Sequence, residues 1–456
     1  MYADQRNASG VPVRALLALA LAFAVSSPVM AMEAAGSDTL QQQSVGRANP
    51  QPLELQHFRA NDARGLGVFE PPKEEGVPYT GFKLHWGGSF TQQFQALRHR
   101  NTADSSVVAG TDVNELIVIG SGFNNAVANL YLGAQLARGI RVELTSYLSS
   151  RHHNETWVKD GYLLIDGSPF ENQRLDDLMK VMTLRVGHFE INYGDQHFRR
   201  SDNGNAMFNP FVGNLIMDAF TTEIGAEAYF RKSGMLAMVG MTGGEIRGQV
   251  GRPQDRSPSK LGKLGFDREV APQVRVRLTG SFYRSTKSIN NTLYSGSRAG
   301  SRYYDVLENT KSTESAQAWS GDLQPGFRNR VNAWVVNPFV KVRMVELFGN
   351  IEQAKGRAVT EAADRTWHQY SGDAVVRFLE DQLFVGGRYN TAKGRLAGMS
   401  RDVRIDRKQV STGWFVTKNL MAKTEYVSQV YRDFPASDIR NGGKFSGAMV
   451  EAVVSF

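Results

Sequence analysis

Phe82-Lys83-Leu84-His85-Trp86-Gly87-Gly88-Ser89-Phe90-Thr91-Gln92-Gln93-Phe94-Gln95-Ala96 is the stretch on which the fold turns. Phe82, Leu84, Trp86, Phe90, Phe94 and Ala96 share one parity, and Lys83, His85, Ser89, Thr91, Gln93 and Gln95 share the other. Successive side chains of a strand point to opposite faces, so these residues form a strand with one apolar and one polar face. It runs for about 15 residues, where strands of soluble sheets average about 5 or 6. A long strand that is apolar on one face only suits a sheet with hydrocarbon on one side and water on the other.

The alternation recurs to the end of the chain in sixteen segments, near 82–97, 124–137, 140–150, 155–166, 182–193, 219–230, 235–244, 259–267, 273–286, 329–340, 344–355, 368–379, 383–392, 404–416, 420–431 and 445–456. Their connections sort by length. Tight turns such as Arg138-Gly139, Arg231 to Gly234, Glu380-Asp381-Gln382 and Thr417-Lys418-Asn419 alternate with long links at 98–123, 194–218, 287–328 and 432–444. The expected fold class is therefore all-β: a transmembrane antiparallel β-barrel of 16 strands with short periplasmic turns and long outer loops. Closure leaves no sheet edge unpaired in hydrocarbon. At about 23 residues per strand and connection the barrel is wide enough for water. The link 167–181 departs from the pattern, because Leu175, Leu178, Met179 and Met182 fall at helical spacing and predict a short helix there.

Upstream of the barrel, Arg6 and Arg14 precede an unbroken apolar run from Ala15 to Val25, and Val29-Met30-Ala31 supplies small residues at −3 and −1. That pattern predicts a signal peptide over 1–31, too short in its apolar run to span a bilayer as a helix. Residues 32–81 are polar, broken by five prolines and without periodicity, and predict a leader or periplasmic tail ahead of the barrel at 82–456. The expected location is the bacterial outer membrane, in contact with its lipid. The last strand places Ala448, Val450, Ala452, Val454 and Phe456 on one parity, which resembles the signal that barrel-assembly machinery reads at a terminal aromatic residue.

Composition removes several chemistries. The 456 residues include no cysteine, which excludes disulfides, zinc knuckles, iron–sulfur clusters and thiol nucleophiles. Gly is 45 and Pro only 15, with 25 Phe, 15 Tyr and 6 Trp, a profile of folded rather than disordered chain. The eight histidines sit in no catalytic motif, and His152-His153-Asn154-Glu155 at a hairpin is read as solvent-exposed rather than metal-binding. No catalytic residue, metal ligand or cofactor is expected. The formal charge of +8 is spread without the aromatic interleaving of a nucleic-acid groove.

Carrying the parity along the strands turns Lys83, Arg141, Arg185, Arg275, Arg277, Arg377, Arg388 and Lys423 to the interior, together with Glu143, Glu223, Glu227, Glu346, Glu352 and Glu425. Fixed positive charge along a narrow aqueous path favours anions, whereas mixed rows give a transverse field, and cross-strand ion pairing accounts for part of the set. The third outer connection, 194–218, holds Met207, Phe208, Phe211, Leu215, Ile216 and Met217. A loop so apolar is expected to fold against the inner wall, placing His197, Arg199 and Arg200 at a pore constriction. The alternative is that the arginines pair with Asp195 and Asp202 at the surface.

Leu184-Arg185-Val186-Gly187-His188-Phe189-Glu190, and the unit from Gly442-Gly443-Lys444 to Phe456 that follows Gly413-Trp414-Phe415, resemble motifs of the phosphate-selective porin O and P family of outer-membrane channels. The resemblance spans most of 82–456 and implies a sixteen-stranded homotrimer with an inward third loop, a basic path for anions and no cofactor. The interior set departs from the family's dense basic ladder by its six acidic residues. The leading expectation is passive diffusion of small hydrophilic solutes with a modest preference for anions such as phosphate. Other readings are a sugar or organic-acid channel with an aromatic track at Trp86, Tyr131, Tyr147, Phe198 or Phe208, a hydrolase on the barrel rim, and an adhesive or structural barrel acting through loop 287–328.

Overall fold

A computed structural model describes residues 58–71, 73, 79–124, 126–149, 156–202, 205–246, 250–295, 303–312 and 321–456; the leader 1–31 and the pair His152-His153 lie outside them. Sixteen strands form the barrel: β1 (Lys83–Arg100), β2 (Val127–Ala137), β3 (Ile140–Ser149), β4 (Trp157–Ile165), β5 (Met182–Glu190), β6 (Thr222–Lys232), β7 (Met235–Thr242), β8 (Ser259–Ala271), β9 (Val274–Ser285), β10 (Arg330–Val342), β11 (Val345–Arg357), β12 (Arg365–Phe378), β13 (Leu383–Gly394), β14 (Val403–Thr417), β15 (Leu420–Arg432) and β16 (Lys444–Ser455). Each pairs antiparallel with its neighbours in sequence. The sheet then closes on itself, since β1 pairs with β2 from Lys83 opposite Gln135 and with β16 from Ser89 opposite Ser455 to Arg100 opposite Lys444.

All sixteen expected segments are strands, with ends shifted by a few residues. Two of the shifts flank the third outer loop, where β5 stops at Glu190 and β6 begins at Thr222, because 191–193 and 219–221 leave the sheet for the interior. Short turns hold the other end. Ser233 and Gly234 both have positive φ (49° and 74°), the two-residue geometry whose twist matches antiparallel strands. The link after β4 contains the expected helix, α1 (Gln173–Met179), started by the Asn172 side chain, which accepts from the backbone N–H groups of Arg174 and Leu175.

Alternation sorts the two faces. Trp86, Phe90, Leu132, Leu264, Val385, Val410 and Trp414 stand exposed on the outside. A belt of this extent would be an unusual surface in water and is an ordinary one in hydrocarbon, where a closed sheet also satisfies its own backbone groups. No described helix is long and apolar enough to cross a membrane. The core sits inside the barrel, where wall residues such as Phe189, Tyr283, Val335 and Trp367 pack against Val212, Ile216, Leu293 and Val306 from outer loops.

Gly187 shows why one motif glycine is needed. It lies in β5 at φ +142°, and a Cβ there would meet the Gly161 carbonyl oxygen at 2.5 Å and Tyr162 Cα at 2.7 Å. Both are backbone atoms of the paired strand and cannot swing aside. Gly187→Ala is therefore expected to destabilise the barrel by more than about 1 kcal/mol, read as a lower urea midpoint in detergent micelles. An unchanged midpoint would mean that β4 and β5 are not in this register.

Candidate lumen and constriction

The third outer loop fills the centre of the barrel. Of its described residues, 191–202 and 205–221, nearly all are buried, including Tyr193, Phe211, Val212, Leu215, Ile216 and Met217. Short helical turns at Gln196–Arg199 and Ala206–Phe208 pair part of its backbone, and inward side chains of the wall pair more of it. The Ile216 N–H donates to Asn390 Oδ1 and that of Met217 to Gln369 Oε1, both at 2.7 Å, and Gln369 Nε2 donates back to the Met217 carbonyl at 2.9 Å. The Val212 N–H donates to Glu425 at 2.8 Å, while the Lys423 ammonium donates to the carbonyls of Ala206, Asn209 and Phe211 at 2.9, 2.9 and 3.1 Å.

Charges of loop and wall interlock. Arg199 meets Asp373 at 2.6 Å and Arg200 meets Glu451 at 2.8 Å, so the two arginines are inside and paired with wall acids, neither with Asp195 nor with Asp202. In the reverse sense, Asp195 accepts from Arg277 Nε and Nη2 at 2.8 and 2.9 Å and from Thr279 at 2.8 Å, and lies 2.6 Å from Lys263. Asp202 lies 2.7 Å from Lys159. Burial raises the Asp195 carboxyl, but Arg277 and Lys263 outweigh it and hold the group below its usual value. His197 bonds Asn192 Oδ1 through Nε2 at 3.1 Å. Burial, with Lys263 nearby, keeps its imidazole well below its ordinary pKa, so His197 adds no charge at neutral pH.

The eight basic wall residues named from parity occupy these places. Lys83 is half-buried at the short-turn end of β1. Arg141 pairs with Glu143 at 2.7 Å, Arg185 with Glu227, Arg275 with Asp267 at 2.6 Å, Arg377 with Glu346 at 2.9 Å, Arg388 with Asp373 at 2.7 Å and Lys423 with Glu451 at 2.6 Å. Arg277 is shared among Asp195, Asp267 and Glu70. Seven of the eight thus sit in mixed-sign clusters. Glu223, Glu352 and Glu425 instead accept from the hydroxyls of Tyr283, Tyr294 and Tyr304, each at 2.6 Å.

Tyr294 and Tyr304 belong to the fifth outer connection. Its described residues enter the lumen as well, with Leu293, Tyr303, Val306, Leu323 and Phe327 buried. Of the suggested aromatic track, Trp86 is on the outer face, edge-on to Phe456, and so lies outside the lumen, while Phe198 packs against Phe69, Phe208 lies under Arg59 and Tyr147 is buried against Phe220.

Residues 58–71, from the polar segment ahead of β1, also lie in the lumen. Phe69 is buried among Phe339, Phe348 and Phe198, a contribution of roughly 1.5–3 kcal/mol for a phenyl ring taken from water. Glu70 lies 2.6 Å from Arg277 and 3.0 Å from Lys263. Burial raises its carboxyl, and Arg277, Lys263 and Arg231 together overcome this and hold it well below the usual carboxylate range. Lys73, just beyond, donates to the Asp166 carbonyl.

Parity would have found several residues that the sequence reading passed over. Glu451 is opposite in parity to Phe456, Asp373 shares the parity of Arg377, and Lys263 adjoins outward Leu264, so all three project inward. Glu70 had no such signal, because its segment has no periodicity. Among the described residues, no cluster of three or more His, Asp or Glu could hold a metal ion.

A closed antiparallel barrel of sixteen strands with loops folded inside is the architecture of outer-membrane porins. Its likeness to solved structures agrees: the chain superposes on an anion-selective porin from Comamonas acidovorans with a TM-score of 0.51 at 11% identity, covering 82% of this chain and 100% of that one. In-vitro folded OmpT, an outer membrane protein of Vibrio cholerae, gives 0.48 at 9% identity, covering 83% and 99%, and the outer membrane channel DcaP of Acinetobacter baumannii gives 0.47 at 9%, covering 83% and 99%. No family model matches the chain, and no curated protein matches it in sequence.

Proposed function

We propose that the protein is an outer-membrane porin, a homotrimer that passes small hydrophilic solutes by passive diffusion with a modest preference for anions such as phosphate. The outer apolar belt and the closed sheet support the membrane setting. The polar, charged interior around an inward loop supports the channel reading. One observation carries the sign of the preference: around the loop's arginine pair, Arg199 and Arg388 share the single carboxylate of Asp373, and Arg200 and Lys423 share that of Glu451. Four cations stand in direct contact with two carboxylates, with Asp202, Glu346 and Glu425 at longer range, and this direct excess of positive charge supports a lower barrier for an anion in the lumen beside the loop.

Single-channel recording in a planar bilayer under a KCl gradient tests this reading. The expected reversal potential has the anion sign, phosphate added to the bath reduces the chloride current, and Arg199→Ala with Arg200→Ala moves the reversal potential toward zero. Channels without ion preference would remove the anion assignment and leave the porin. A protein that inserts and never conducts, with or without its N-terminal segment in place, would remove the porin reading itself.

A further inference from the structure

We infer that the lumen contains a peptide-binding groove at its short-turn end, and that the chain's own residues 58–71 fill it as a removable plug locked by Glu70. The wall residues that hold this segment show that it crosses the opening. The Ser455 hydroxyl of β16 donates to the Asn61 carbonyl, and the Ala63 N–H donates at 2.8 Å to the carbonyl of Lys418, in the turn between β14 and β15. Six residues on from Asn61, Arg275 of β9 donates to the Gly67 carbonyl at 2.8 Å. Glu70 then meets Lys263 of β8 and Arg277 of β9, and Arg231 of β6 donates to the Pro71 carbonyl at 2.8 Å. In a ring of sixteen strands β16 and β8 are half a circumference apart, so this segment runs from one wall to the opposite one.

Most of these anchors cluster at one end. Lys418 is in a short turn, Ser455 is next to the last residue of the chain, Arg275 follows the β8–β9 turn, and Arg231 precedes the β6–β7 turn. Toward the wall the segment supplies carbonyl oxygens, the Ala63 N–H and the Glu70 carboxylate, while its Asp62 pairs with its own Arg64, and the wall supplies Lys263, Arg231, Arg275 and Arg277. An extended backbone with an acidic side chain is thus the ligand class this groove takes. The contacts are hydrogen bonds, ion pairs and the packing of Phe69, Ala63 and Leu66 on the inner wall, and the segment has no regular structure beyond a single 3-10 turn at Ala63–Gly65; a segment outside the strand ladder can leave without unfolding the barrel. Above it, Phe69 against Phe198 and Arg59 at 4.1 Å from the Phe208 ring join plug to constriction loop, so release of one loosens the other.

This inference rests on the porin reading for its consequence, a resting state of low conductance, and its test separates the two. The absence of cysteine allows a single reporter thiol at Ala60, which is 4% exposed, with Val118, fully exposed, as the control position. In the full-length reconstituted protein, Ala60→Cys should react with a charged maleimide far more slowly than Val118→Cys. Adding Glu70→Lys, which sets a third cation against Lys263 and Arg277, should raise the Ala60→Cys rate by about tenfold or more and raise single-channel conductance severalfold. Equal labelling of the two thiols with Glu70 intact overturns the plug. Slow labelling unaffected by Glu70→Lys overturns the lock. Slow labelling released by Glu70→Lys, with no current from either protein, supports the plug and removes the porin reading.

Discussion

Glu451→Ala is expected to destabilise the barrel by about 3–5 kcal/mol, the cost of stripping a buried ion cluster of one partner. Glu451 is fully buried in β16, where it receives Arg200 from the third loop at 2.8 Å, Lys423 from the adjacent strand at 2.6 Å and Gln93 from β1 at 2.6 Å. Its removal leaves two cations with no carboxylate in direct contact, and the Lys423 hydrogen bonds that remain are to loop carbonyls. Urea unfolding followed by tryptophan fluorescence would show a clearly lowered midpoint, with Glu451→Gln intermediate because the amide still accepts one bond. Replacing Arg200, Lys423 and Glu451 together by methionine, methionine and leucine should recover much of the loss, since no charge then remains to be desolvated. A loss below about 1 kcal/mol for Glu451→Ala would mean that water reaches this cluster and that the loop is not held against β15 and β16.

The second large effect is expected at Asp195, because it joins stability to selectivity. Its carboxylate is buried at the start of the third loop and is shared by Lys263, Arg277 and Thr279. Asp195→Ala leaves Lys263 and Arg277 with Glu70 as their remaining close carboxylate, apart from the longer 3.2 Å contact of Arg277 to Asp267. A destabilisation of about 3–5 kcal/mol is again expected, together with a reversal potential displaced further to the anion side, since one negative charge is lost from the lumen. Recordings on Asp195→Ala and Asp195→Asn separate the two effects: both remove the charge, but only the alanine removes the acceptor that anchors the loop. Displacement toward cations in either variant would show that the Lys263 and Arg277 cluster does not face the conducting path.

The tight turns and alternating strands were legible because each is a local matter. Parity in β1 followed from fifteen consecutive residues, and the reverse turn at Ser233-Gly234 needs only two positive φ angles, which those residues supply at low cost. The apolar content of the third loop was equally plain, and its position inside follows from the absence of any other surface that would cover Phe211, Ile216 and Met217. Partners were another matter. Sequence left Arg199 and Arg200 open to the neighbouring aspartates, and the structure places them on Asp373 and Glu451, some 170 and 250 residues away. Which acid meets which base depends on the register of strands far apart in the chain, and a shift of one residue would exchange every inward carboxylate for an outward neighbour.

The sequence by itself determined the barrel, its strand count, the end that carries short turns and the parity that turns charged side chains inward. All of these follow from a period of two, which hydrocarbon outside and water inside impose on every strand separately. Tertiary structure alone decided that the interior basic residues stand in mixed-sign clusters, that the fifth outer loop joins the third in the lumen, and that 58–71 lies across the opening. Those features depend on closure, because only a closed ring brings β16 opposite β8 and places Glu70 between Lys263 and Arg277.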